Sequence, residues 1–335
     1  MTKNGAVDKV EIGVIGLGNW GTALAQHFAS SSFPVLAWSR NEKVVDSINN
    51  NNLNSSYLSD LELSPNLKAT TDLESVCSKE VVIVAVPAKV LSKVVEKAPL
   101  SDSSIYVSAI KGMDPDTFQT PLSVLKSISS KNLKLAVISG PGFAKDIARN
   151  RPAGLVVASN DEKDAKMLAE IFSSDSLRVY TSKDTFGVEL GGILKNIIAI
   201  AAGIVDGLDL GDSARAGIIT RGLAEMTELA VAMGAQRETL FGLSGLGDLI
   251  LTATCNASRN RRVGLGIGMG MTVDEVVDTI GSVAEGLNST PIILKLAKEH
   301  GVEVPITEGV QLVLEGKIKP KDLIAKLILR PTKAE

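Results

Sequence analysis

Hydrophobic and polar positions follow two textures along the chain. Through roughly the first half, short apolar runs alternate with segments of helical spacing. Val10 to Ile15 forms a strand-like run, a glycine turn follows, and Trp20 to Ala29 has the periodicity of a helix. Val35 to Trp38, VVIVAV at 81–86, Ile105 to Ser108, Leu135 to Ser139 and Leu155 to Ala158 predict further strands. The 81–86 run is apolar throughout, as expected of a parallel strand covered on both faces, and Pro87 closes it. Helical segments between these runs complete an α/β alternation. After about Thr181 the strand series stops, and 186–205, 213–234, 273–280 and 290–299 read as helices. Thr272, three residues before Glu275, is a capping-box signal for the helix beginning near Val273. The pattern predicts an α/β N-terminal domain over residues 8–185 and a predominantly α-helical C-terminal domain over 186–330. A cleft is expected between the second domain and the carboxyl ends of the strands. The asparagine-rich stretch at 49–56 reads as a surface loop or helix end, with no functional signal in its composition.

Composition narrows the function classes. The 335 residues are 44% hydrophobic and 22% charged, which describes a folded protein rather than a disordered one. Thirty-five basic and 38 acidic side chains give a net charge of -3, disfavouring nucleic acid as a partner. Cys77 and Cys255 stand far apart, and with only His27 and His300 no histidine-rich metal centre is expected. His27 reads as a packing residue and His300 as a helix-terminal one. The opening residues pass from a polar tail straight into a strand-like run, so no signal segment is expected. The longest apolar stretch, Val188 to Val205, is interrupted by Glu189, Lys195 and Asn196, so it predicts a buried helix and no stable membrane insertion. A cytoplasmic protein is expected.

The glycine turn carries the first chemistry. Gly16-Leu17-Gly18-Asn19-Trp20-Gly21 directly follows Val14-Ile15 and leads into a helix. Gly16 suits the tight turn, Gly18 leaves room for a pyrophosphate, and Gly21 permits close helix–strand packing, the fingerprint of a Rossmann-type dinucleotide domain. At the end of the next strand, where an acid would ordinarily meet the adenosine ribose, the chain reads Trp38-Ser39-Arg40-Asn41-Glu42. Arg40 is suited to a 2′-phosphate and Glu42 keeps NAD open, so NAD or NADP is the expected cofactor.

Lys195 stands in the apolar helix GGILKNIIA at 191–199. Low dielectric favours its neutral amine and a nearby carboxylate its charged one, which is the tuning needed to pass a proton between hydroxyl and carbonyl. A snorkelling lysine is the structural alternative. Asp248 closes the glycine-rich turn GLSGLGD at 242–248 and is suited to orient Lys195, to bind a substrate hydroxyl, or to cap the following helix. Ser258-Arg259-Asn260-Arg261-Arg262 is the densest basic cluster, with fork geometry that fits phosphate or a solvated helix turn. Lys111 follows a strand end, and the loop Ser139-Gly140-Pro141-Gly142-Phe143-Ala144 follows another. The alternating Gly264, Gly266, Gly268 and Gly270 have no preceding strand and read as helix packing or mobility.

GVIGLGNWGTALA at 13–25, VAVPAK at 84–89, SAIKG at 108–112, LGGILKNIIAIAAGI at 190–204, GLSGLGDLILTATCNASRNRRVG at 242–264 and VAEG at 283–286 together resemble the NAD(P)-dependent glycerol-3-phosphate dehydrogenases of the bacterial type. The resemblance covers nearly the whole chain in order. It implies interconversion of dihydroxyacetone phosphate and sn-glycerol 3-phosphate, supplying phospholipid synthesis, and a homodimer. It makes Lys195 the proton donor or acceptor with Asp248 beside it. Ser258, Arg259 and Asn260 match the phosphate segment, and Lys111 and Gly140 match substrate contacts. Lys111 and Arg259 also match cofactor contacts, alongside Trp20, Arg40, Ala144, Val283 and Glu285. Where the family has a GPS-type serine this chain has Gly142, so one hydroxyl contact to substrate is expected to be missing. A hydroxy-acid or sugar-acid dehydrogenase and a non-catalytic NAD(P) sensor are the alternatives that the dinucleotide fingerprint leaves open.

Overall fold

The computed structural model describes residues 10–129, 132–281 and 284–328. They form two compact units, one of residues up to Ile110 with Gln119–Thr185, the other of Lys111–Phe118 with the residues from Phe186 onward. The sequence places Lys111–Phe118 within the 8–185 domain. In the structure this segment packs with the helical unit, because Met113 is buried in that unit's core and Phe118 packs against it.

The first unit runs β1 (Ile12–Ile15), α1 (Asn19–Ser30), β2 (Val35–Trp38), α2 (Glu42–Asn51), β3 (Leu67–Thr70), α3 (Leu73–Cys77), β4 (Val81–Val84), α4 (Leu91–Val95), β5 (Ile105–Ser108), α5 (Pro121–Ile128), β6 (Lys134–Ser139), α6 (Ala144–Ala148), β7 (Ala153–Ser159), α7 (Glu162–Phe172) and β8 (Leu177–Ser182). The strands form one sheet in the order β3-β2-β1-β4-β5-β6-β7-β8. Among the described residues the β6–β7 pair is antiparallel and the other strand pairs are parallel. The chain works outward from β1 through β2 to β3 and then returns to β4 on the other side of β1. That reversal opens a ligand crevice at the carboxyl ends of β1 and β4. β1 and β4 are buried along their whole length, as expected of strands with no polar side chain: Ile-Gly-Val-Ile in β1 and Val-Val-Ile-Val in β4.

β3 and β8 lie at the sheet's two edges and carry polar outward residues such as Lys68 and Arg178. Their apolar pattern is too short to announce a strand. His27 is a packing residue: its Nε2 meets the Phe172 carbonyl at 2.9 Å and its ring stands edge-on to Phe28.

The second unit is helical: α8 (Thr185–Gly207), α9 (Gly211–Ala232), α10 (Arg237–Phe241), α11 (Asp248–Thr254), α12 (Arg259–Gly268), α13 (Val273–Ile280), α14 (Glu285–Glu299), α15 (Pro305–Leu314) and α16 (Pro320–Ile328). α8 is long and apolar enough to cross a membrane, yet its apolar window is wholly buried inside the protein, making it the core helix of this unit. Thr272 and Glu275 form the expected capping box at α13, and His300 is the C-cap of α14. Gly264 and Gly268 serve packing: a Cβ on either would lie 1.9 and 2.6 Å from the carbonyl oxygens of Ile200 and Ile204 on α8.

Candidate active site

In the first unit the glycine turn has the geometry of a phosphate cradle. Gly16 has φ +106, a left-handed conformation that a side chain would strain. A Cβ on Gly21 would sit 1.9 Å from the Gly16 carbonyl oxygen, so α1 packs directly on the turn. A Cβ on Gly18 would meet nothing within 4 Å, leaving open space over the start of α1, and no side chain caps that helix. A helix N-terminus with open space above it fits the pyrophosphate of a dinucleotide. Asn19 and Trp20 begin the helix. Arg40 is exposed just past β2, beside Asn41, which caps α2 by accepting from the Lys43 N–H.

Asn54 braces this turn. Its buried amide donates to the Leu17 carbonyl (3.1 Å) and the Thr22 hydroxyl (2.8 Å), and its Oδ1 accepts from the N–H groups of Ser56 and Tyr57. In the sequence Asn54 is hidden in an asparagine-rich run. The loop after β6 has Gly140 at φ +130 and a buried Ser139 hydroxyl without a partner among the described residues. Gly142 lies against Trp20: a Cβ there would stand 3.4 Å from the indole and 3.3 Å from Leu155. Ala144 opens α6.

In the second unit three charged groups meet. Asp248 is the first residue of α11, delivered by a π-helical turn over Leu243–Gly247, and is buried. One carboxylate oxygen accepts from Lys111 Nζ at 2.6 Å, and the other is in direct ion-pair contact with Lys195 Nζ. Gly191 makes room for this arrangement, since a Cβ there would lie 2.7 Å from the Ser244 carbonyl oxygen. Thr252, one turn along α11, accepts from Lys195 Nζ at 2.8 Å and donates to Asp248 Oδ1 at 3.3 Å. Of the roles open to Asp248, the geometry supports orienting Lys195; the N-cap position of α11 belongs to Gly247.

Burial dominates the electrostatics of Lys195 and pulls its amine down to about 7. Asp248 opposes that pull and Lys111 adds to it. For Asp248, burial works toward the neutral acid, but the two ammonium groups together overcome it and hold the carboxyl below its ordinary range. A protonatable amine near neutrality, fixed by a carboxylate and a hydroxyl, is equipped for proton transfer.

A polar relay connects this cluster to the basic segment. Asn196 Nδ2 donates to the Lys111 carbonyl at 3.0 Å, and its Oδ1 accepts from Asn260 Nδ2 at 2.9 Å. Asn260 Oδ1 in turn accepts from the Gly286 N–H at 3.0 Å, next to Glu285 at the head of α14. Val283 lies outside the described residues. Ser258 is the N-cap of α12, its Oγ accepting from the Arg261 N–H. The basic cluster divides: Arg259 and Arg262 are exposed, whereas Arg261 is buried against Asp206. Thr252 and Asn196 gave little in sequence, one sitting in an ordinary helical run and the other visible only as a polar interruption. Cys77 is buried, which pushes its thiol up to about 12.

Comparison with known proteins agrees with these features. The signature of the NAD-dependent glycerol-3-phosphate dehydrogenase N-terminus matches residues 11–165, and that of the C-terminus matches residues 184–325. A glycerol-3-phosphate dehydrogenase [NAD(P)+] from Syntrophotalea carbinolica is 44% identical over 331 residues, covering 97% of this chain and 99% of the relative. The crystal structure of glycerol-3-phosphate dehydrogenase from Coxiella burnetii superposes with a TM-score of 0.91 at 37% identity, over 96% of this chain and 99% of that one. The Plasmodium falciparum enzyme shares the fold, with a TM-score of 0.88 at 23% identity over 97% of each chain. Two matching signatures and full-length similarity show that the chain belongs to the NAD-dependent glycerol-3-phosphate dehydrogenase family.

Proposed function

We propose that Lys195 is the proton donor and acceptor in the reaction this chain catalyses, the NAD(P)-dependent interconversion of dihydroxyacetone phosphate and sn-glycerol 3-phosphate. The observation that carries the assignment is the buried Lys195 amine, paired with Asp248 and hydrogen-bonded to Thr252. Bound in reduced form, the nicotinamide supplies the hydride that C2 of the ketone receives. Lys195 as ammonium gives its proton to the C2 oxygen as the carbonyl becomes an alcohol, and is left as the neutral amine. In the oxidation direction the neutral amine takes the hydroxyl proton. Asp248 and Thr252 hold the amine in place, and Lys111 adds positive charge where the oxygen gains electron density.

The start of α12 supports phosphate binding. Its first turn has no acidic residue, its dipole favours an anion, and Arg259 is exposed there. In this reading Ser258, Arg259 and Asn260 present the substrate phosphate with side-chain or backbone donors, and Gly140 and Gly142 contribute backbone groups. The turn of Gly16, Gly18, Asn19, Trp20 and Gly21 holds the dinucleotide, with Arg40 at the 2′ position and Ala144 and Glu285 as further contacts. The family resemblance also supports supply of glycerol phosphate to phospholipid synthesis, a cytoplasmic location and a homodimer, the last checked by sedimentation.

Lys195→Met tests the central role. Coenzyme absorbance with dihydroxyacetone phosphate should show turnover reduced by about 10²–10⁴-fold, with NADH affinity retained. Near-normal turnover would overturn the assignment.

A further inference from the structure

α8 and α12 touch through their backbones. A Cβ on Gly203 would lie 2.0 Å from the Arg261 carbonyl oxygen, and one on Gly207 would lie 2.3 Å from that of Leu265. Gly264 and Gly268 make the reciprocal approach from α12. Glycine faces let two helices come close, but they present no side chains to interlock. Such a seam fixes separation more firmly than it fixes sliding along the helix axes.

The missing lock is a buried ion pair at the end of the seam. Asp206 stands on α8 about three turns beyond Lys195. Arg261 sets its Nε 2.8 Å and its Nη2 2.6 Å from Asp206 Oδ2, and its Nη1 donates to Asn256 Oδ1 at 2.6 Å. Arg215 donates to the other Asp206 oxygen at 3.0 Å. The Arg261 backbone N–H also closes the Ser258 cap. One residue thus binds the lysine helix, the loop entering α12 and the first turn of α12. A buried pair of this kind is weak evidence for stability, since apolar replacements often do as well. Its distinctive property is direction: Arg261 closes on one oxygen of the carboxylate and Arg215 on the other, so Asp206 is held from two sides.

We propose that Arg261, held by Asp206, is a positioning residue that sets the distance between the Lys195 amine and the phosphate-binding start of α12. The enzyme is thereby matched to the separation of carbonyl and phosphate in a three-carbon ketone phosphate. The inference rests on the reading of Arg259 and its neighbours as the phosphate site. Arg261 is buried and turned to the protein, with its Nε and Nη2 on Asp206 and its Nη1 on Asn256.

The test compares dihydroxyacetone phosphate with unphosphorylated dihydroxyacetone, reading kcat/KM for each and the ratio between them. A shift of the order of 1 Å in a bound substrate costs about 10²-fold. Arg261→Met and Asp206→Asn should therefore lower kcat/KM for the phosphorylated ketone by about 10²-fold, while that for dihydroxyacetone and the Kd for NADH stay near the parent values. Arg261→Lys should restore part of the ratio. Asn256→Ala, an exposed position, breaks one arm of the clamp without threatening the fold and should lower the ratio several-fold. It carries the test if Arg261→Met does not fold. Equal losses on both ketones, or no loss in Asn256→Ala and Arg261→Lys, would overturn the proposal. Arg259→Met separates the two readings. If it leaves the ratio intact, the phosphate site itself is misplaced. If it abolishes the ratio while the Arg261 and Asn256 variants keep it, the positioning role alone falls.

Discussion

Replacing the two charges that flank Lys195 should move the pH dependence of ketone reduction in opposite directions. Reduction needs the ammonium form, so kcat/KM falls as pH rises through the amine's pKa, about 7 in this site. Glycerol phosphate oxidation needs the neutral amine and rises over the same range. The Asp248 carboxylate favours the ammonium, and Lys111 disfavours it. A unit charge about 4 Å away at an effective dielectric near 20 contributes about 4 kcal/mol. Pairs at this range displace a pKa by about 1–3 units once solvation adjusts. Asp248→Asn should therefore shift the falling limb of reduction down by about 1–3 pH units, and Lys111→Met should shift it up. The assay is kcat/KM for dihydroxyacetone phosphate between about pH 5 and pH 9, at saturating reduced coenzyme, with the reverse reaction as control. Simple damage lowers the plateau and leaves the midpoint in place. If both midpoints stay near the parent value, or both move the same way, the limb belongs to another group and Lys195 is not the acid.

Gly18→Ala should leave the melting temperature unchanged, since its Cβ meets only open space, yet raise the Kd for NADH about tenfold or more, a loss of about 1.4 kcal/mol. Gly21→Ala drives a Cβ into the Gly16 carbonyl and should lower both melting temperature and coenzyme affinity; equal behaviour of the two variants would refute the cradle. Arg40→Ala should weaken NADPH relative to NADH, and an unchanged ratio would remove Arg40 from cofactor choice. Glu225 is buried on α9 and accepts from the N–H groups of Ile306 and Thr307 and from the Thr307 hydroxyl, capping α15. In Glu225→Gln an amide N–H faces the Ile306 donor, so urea unfolding should show a loss of about 1–3 kcal/mol. No loss would mean that the amide is accommodated.

The parts of the fold legible in sequence are those where one local rule has no competitor. The glycine turn needs Gly16 and Gly21 for backbone reasons, and the apolar runs of β1 and β4 need burial on both faces, so each is written in consecutive residues. α8 was legible because a long apolar helix interrupted by Glu189, Lys195 and Asn196 is better housed in a protein core than in lipid. β3 and β8 escaped because an edge strand is half polar and pairs on one side only. The antiparallel β6–β7 pair escaped because strand direction is set by how the intervening chain returns, which periodicity does not record. The segment 111–118 shows the same limit, since Met113 and Phe118 look like residues of any core until the fold decides which one they join.

The site divides in the same way. Lys195, Asp248 and Lys111 stand out because each is a charge in an apolar or glycine-rich setting, and a charge there needs a partner. The partners themselves are ordinary. Thr252 is one threonine in a helix, Asn54 one of several clustered asparagines, and Asn260 a member of a basic run that suggests a side chain turned toward phosphate. Its amide is instead spent on Asn196 and Gly286, in a relay that ends at the Lys111 carbonyl. Arg261 makes the contrast sharpest, for it is chemically identical to Arg259 two residues earlier. Helical geometry turns one of the pair inward to Asp206 and leaves the other at the surface. Sequence supplies the inventory of charges; the fold, with α8 and α12 brought close by glycines in two distant segments, decides which arginine is buried on Asp206 and which is exposed.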